Sequence, residues 1–133
     1  MTHNEKDLKT KLEYNFKLCE FKINNILITS VIEENTNYIN ATYISNSINP
    51  SLCKKGESAF HNWADYESSK QFIEFVRSKI DNGKDPLFYV SKEEDPQYFG
   101  MYVHLSIIPQ FLSWLSPFLA LKISEIILMH QND

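Results

Sequence analysis

Between Phe16 and Ile32 the apolar residues fall at strand spacing. Phe16, Leu18, Phe21 and Ile23 lead to an Asn24-Asn25 pair, then to the β-branched run ILITSVI. Period-two alternation with β-branched enrichment predicts strands, and the Asn pair allows a turn between them. Glu34-Asn35-Thr36-Asn37 is polar and Asn-rich, so the chain reverses there, and Tyr38 to Tyr43 is expected to pair back as a strand. The chain thus opens with a β-hairpin, preceded by a charged arm over residues 1–19 in which Leu8 and Leu12 stand four apart.

The spacing then turns helical. Asn49-Pro50 can start a short helix, with proline at its first position and Lys54-Lys55-Gly56 closing it. Ser58 can cap a second, carrying Phe60, Trp63 and Ala64. Ser68 or Ser69 can cap a third, whose Phe72, Ile73, Val76 and Ile80 lie on one face before Asn82-Gly83 stops it. Leu87–Val90 and Phe99–Val103 read as a second strand pair around a long charged tip, Ser91 to Gly100. From Leu105 to Leu128 the chain is strongly apolar, but Gln110, Lys122, Glu125, four serines and two prolines argue for two buried helices and not a membrane span. Ser106 is expected to cap the first of them, with Pro109 in its opening turn, and Ser116-Pro117 to start the second. Strand pair, short helices, strand pair, helix pair is an α+β order, and a helix pair followed by a hairpin is the arrangement of a winged helix-turn-helix.

Composition narrows the function. With 133 residues, 43% hydrophobic and 23% charged, the chain can bury one core and is not of the disordered class. Net charge is -4, and no third of the chain is basic: -1 over residues 1–40, 0 over 41–85 and -3 over 86–133. Any nucleic-acid surface must therefore be a local patch, because affinity for DNA comes largely from phosphate neutralisation. Two cysteines, Cys19 and Cys53, make no disulfide framework, and the charged start MTHNEKDLKTKLEY has no secretory apolar region. An intracellular protein with reduced thiols is expected.

Two stretches carry a resemblance. YINATYI followed by LCKKGESAFHNWADYESSKQFIEF, and later GMYVHLSIIPQFLSWLSPFLALKISEII, resemble the KilA-N domain in content and order, over residues 20–130. That family occurs in large DNA viruses, notably poxviruses, and in bacteriophages, and is similar to the APSES DNA-binding domain of fungal transcription factors. The resemblance implies an α+β fold with a winged-helix-like core, and binding of double-stranded DNA in a host nucleus or a cytoplasmic viral factory. It maps Lys54 and Lys55 onto the family's basic entry to the turn. Tyr38, Asn40, Ala41, Cys53, Phe60, Trp63, Trp114, Pro117, Ala120 and Ser124 fall on positions that read structurally.

Beside it, the residues suggest how binding is done. Phe60 and Trp63, three apart, hold the second short helix on the core, so that Lys54, Lys55, Ser58, His61, Asn62 and Lys70 project together. Lys92 supplies the cation on the presumed wing. Glu57, Ser58 and Ala59 follow Gly56 where the family often carries further basic residues, and Glu93, Glu94 and Asp95 follow Lys92. Binding is therefore expected to be weak and mainly through backbone phosphates. The alternative on the same fold is a protein-interaction module. Catalysis is not expected: His61, His104 and His130 are isolated, and Cys53 with His61 lacks an orienting third group. No zinc spacing and no calcium loop is present, so no cofactor or metal is expected.

Overall fold

A computed structural model of the chain describes residues 14–23, 25–48, 59–80 and 84–122. The first two strands, β1 (Phe16–Ile23) and β2 (Ile26–Glu33), pair antiparallel from Phe16 opposite Glu33 to Ile23 opposite Ile26. The two strands thus form a hairpin, and β1 starts within the expected arm. After the 34–37 turn, β3 (Tyr38–Asn40) pairs with β2. Asn37 takes φ 62 there, a left-handed conformation that asparagine tolerates. Helices α1 (Ala41–Ile48), α2 (Ala59–Ala64) and α3 (Glu67–Lys79) follow, then β4 (Leu87–Val90) and β5 (Gly100–Val103). A 3-10 turn at Leu105–Ile107 leads into α4 (Ile108–Leu115), and residues 117–122 are helical.

All pairings are antiparallel, in the order β1-β2-β3-β5-β4, so the two hairpins form one five-stranded sheet joined through β3 and β5. Alternation along the strands gives the sheet two apolar faces. Ile23, Ile28, Ile39, Met101 and Val103 meet the helices, which contribute Ile44, Phe60, Trp63, Ile73, Val76, Phe111, Leu112 and Leu115. Val31, Tyr38, Val90 and Tyr102 lie on the other face, under Tyr14, Phe16, Phe88 and Tyr98. Phe88 stacks on Tyr102 with ring centroids 5.2 Å apart and on Tyr14 at 5.4 Å. Each large side chain fully buried in these clusters contributes about 1.5–3 kcal/mol.

Several expected boundaries move. The strand from Tyr38 stops at Asn40, and α1 begins where strand residues were expected to continue. The cause is local: the Asn40 side chain accepts the Tyr43 N–H at 2.9 Å, the hydrogen bond of a helix N-cap. Ser68 and Ser69 do not cap α3, which starts at Glu67 behind Tyr66; Ser69 is buried inside its first turn. Ser106 does not cap the next helix either: it lies inside the 3-10 turn, whose N-cap His104 accepts the Ser106 N–H on Nδ1 at 3.1 Å, and α4 starts behind Ile107. Pro109 does sit in the opening turn of α4, and the Ser116 hydroxyl accepts the Leu119 N–H at 3.3 Å. The helix expected from Asn49-Pro50, the Ser58 cap and the Asn82-Gly83 stop lie outside the described residues. Among the described residues, no helix is long and apolar enough to cross a membrane.

Candidate nucleic-acid interface

The Asn40-Ala41-Thr42 triplet joins helix to hairpin. Asn40 is fully buried, and while its oxygen caps α1 its amide donates to the carbonyls of Tyr98 at 3.3 Å and Phe99 at 3.0 Å. Thr42 Oγ1 accepts the Met101 N–H at 3.0 Å, and the Tyr102 hydroxyl donates to the Tyr98 carbonyl at 2.7 Å. Burial pushes the Tyr102 phenol far above its ordinary range, so it stays a donor. Gly100 makes this approach possible. Its φ is 139, and a Cβ there would stand 2.5 Å from Asn40 Oδ1 and 2.8 Å from Thr42 Cβ. The β4–β5 hairpin is thereby held to α1 by side chains from both ends of the NAT triplet.

The loop between β4 and β5 is ordered by its own acids. Ser91 Oγ accepts the Glu94 N–H at 3.1 Å while Glu94 Oε1 accepts the Ser91 N–H at 3.0 Å, the reciprocal pattern of a capping box. Asp95 Oδ1 accepts the N–H groups of Gln97 at 3.0 Å and Tyr98 at 2.9 Å. Two of the three carboxylates at this tip thus order the loop's backbone, and Glu93 and Glu94 stay exposed. Glu93 has no such bond among the described residues. Lys92 lies beside it, with Nζ 5.5 Å from the centre of the Phe99 ring. Phe99 in turn lines a hollow of about 250 Å³ with Thr42, Tyr43, Asn46, Ser47 and Gln97. Asn46 and Gln97 were not singled out from the sequence; the signal was available in the NAT cap, which turns the next two turns of chain into a helix facing this loop.

On the helical side, Phe60 and Trp63 anchor α2. Their rings lie 5.5 Å apart, and both meet Phe111 edge-on at 5.3 and 5.8 Å. This leaves His61 and Asn62 exposed on the opposite edge. The His61 ring reaches Tyr89 of β4, 6.4 Å between centres, so the outer edge of α2 stands beside the second hairpin. Lys70 is exposed in the first half of α3. The structure thus brings His61 and Asn62 together next to β4, whereas the contact of Lys92 leads to the α1 side of the hairpin. Lys54, Lys55 and Ser58 lie outside the described residues. Arg77 is committed elsewhere: it pairs with Glu74 and with Asp85 at 3.0 Å, which raises its already high pKa and ties α3 to the start of β4. Among the described residues, no three His, Cys, Asp or Glu side chains gather as a metal ion would need.

The chain is 28% identical to a KilA-N domain-containing protein of Acanthamoeba polyphaga mimivirus over 99 residues, which is 74% of this chain and 20% of that protein. It therefore spans about a fifth of the length of this viral relative. No solved structure matches it. The KilA-N domain family matches residues 21–133, a stretch that takes in the end of β1, strands β2 to β5, the NAT triplet, the α2 aromatics and α4, and the chain belongs to that family.

Proposed function

We propose that this chain is a viral DNA-binding domain that holds double-stranded DNA mainly by its phosphates, through a helix-turn-helix and a wing. The wing is the β4–β5 hairpin, and the helical part is α2 with its flanking segments. KilA-N domains are generally DNA-binding and non-enzymatic, which supports the class. The observation that carries the reading for this chain is the exposed His61-Asn62 edge beside Tyr89 of β4. One surface then offers donors from a helix and from a hairpin. In this reading Lys54, Lys55 and Ser58, outside the described residues, and Lys70 add phosphate contacts, and Lys92 serves the far side of the wing. Contacts of this kind position DNA without reading bases, and the only arginine, Arg77, is occupied by two carboxylates. The site of action is the host nucleus or a cytoplasmic viral factory.

A salt series with random-sequence duplex DNA tests this. Affinity of about micromolar strength is expected at about 50 mM salt, falling with a shallow slope. Lys54→Ala with Lys55→Ala should weaken binding equally across sequences and flatten the slope by about 0.9 per lost phosphate contact. No measurable affinity at low salt removes the DNA reading and leaves the protein-interaction module, which the net charge of -4 favours.

A further inference from the structure

At the end of the β4–β5 hairpin remote from the 91–99 loop, α3 and the turn after β5 enclose an open groove of about 820 Å³. A four-residue strand spans about 13 Å, so this groove is a different place from the loop and its lysine. Its floor is apolar, made by Phe72, Phe75, Val76 and Ile80. Phe75 is 59% exposed, and Leu105, next to the groove residues His104 and Ser106, is 53% exposed. Large apolar side chains left this open in one neighbourhood mark a contact surface more than they mark an ordinary exterior.

Among the described residues that line the groove, the charged side chains are Lys79 and Lys84, while the neighbouring acids Glu74 and Asp85 pair with Arg77. Lys79 Nζ stands 5.3 Å from the centre of the Phe75 ring, so its stem lies along the apolar floor and its charge at the edge. An apolar floor of four side chains suits a phosphate backbone poorly, because phosphates keep their water and seek donors. It suits apolar side chains flanked by carboxylates.

We propose that this groove docks an acidic segment of a partner protein, its large apolar side chains on Phe72, Phe75, Val76 and Ile80 and its carboxylates on Lys79 and Lys84. The site is independent of the DNA reading and can hold whether or not that reading does.

Panning the whole chain against a random 12-residue peptide library displayed on phage tests it. Selected peptides should be rich in Asp and Glu around aromatic or aliphatic anchors, and the winning peptides, synthesised, should bind in anisotropy titrations. Phe75→Ser, and separately Lys79→Glu with Lys84→Glu, should each weaken that binding at least about tenfold. Both changes sit on exposed positions, and unchanged thermal midpoints verify that the variants fold. Duplex DNA binding measured on the charge-neutral Phe75→Ser variant should be unaffected. The proposal is overturned if no peptide is selected, if the winners carry no acidic excess, or if their affinity ignores both variants. It is equally overturned if Phe75→Ser lowers DNA affinity, which would assign the groove to the nucleic-acid surface.

Discussion

Glu33 is buried in β2 and takes four hydrogen bonds on its carboxylate: the N–H groups of Asn15 at 2.9 Å, Asn35 at 3.1 Å and Thr36 at 2.9 Å, and the Thr36 hydroxyl at 2.7 Å. Burial alone would raise its pKa, but these donors outweigh it and hold the group below the usual carboxylate range. A carboxyl whose pKa is lower folded than unfolded adds stability above its unfolded value, about 4.3, and loses it as pH falls through the folded value. Urea midpoints should therefore decline from about pH 5 downward, and Glu33→Gln should flatten that decline while lowering stability at neutral pH. Gly100 and Asn40 give a second residue-scale test. Gly100→Ala should cost about 2–4 kcal/mol from its positive φ and the 2.5 Å approach. Part of that cost should vanish in an Asn40→Ala background, since the Oδ1 atom it strikes is then gone, and a double-mutant cycle reads the difference.

The β4–β5 loop shows how an element alters the meaning of a charge run. Glu93-Glu94-Asp95 reads from the sequence as three equal charges, yet Glu94 and Asp95 bind the loop's own amides. Glu93→Gln should leave the melting temperature unchanged and strengthen DNA binding at low salt, through the loss of like-charge repulsion near phosphates. Asp95→Asn should instead loosen the loop, seen as faster amide exchange at Gln97 and Tyr98. Equal behaviour of the two variants would deny the division of roles. In α2, Trp63→Ala should cost about 3–5 kcal/mol, as removal of a large buried aromatic does. A variant that kept wild-type stability and lost only binding would move Trp63 from the core to the interface.

For the molecule as a whole, the two hairpins share one sheet, so the presumed wing is no independent flap. β5 is paired on both sides, to β3 and β4, and is buried along its length. Its loop should exchange amide protons far sooner than β5, whose opening requires the global transition. If the DNA surface includes the α2 edge, His61→Ala with Asn62→Ala should lower affinity without changing the urea midpoint, because both residues are exposed. A parallel fall in stability would show the loss to be structural.

The alternation from Phe16 to Ile32, the Asn-rich reversals, the second strand pair and the Pro109 and Ser116-Pro117 helix starts were determined locally, because period, turn chemistry and proline geometry act over a few residues. The Phe60–Trp63 spacing likewise foretold a buried face on α2. Tertiary structure decided the rest. Asn40 ended its strand and capped α1, and its amide and the Thr42 hydroxyl found partners nearly sixty residues away in chain. Which acids would fold the loop, and that Arg77 would close on Asp85, depended on where the chain brought backbone amides and charges into range. Neither is encoded in a periodic pattern, because hydrogen bonds and ion pairs act between groups that only the packed sheet and helices bring within about 3 Å.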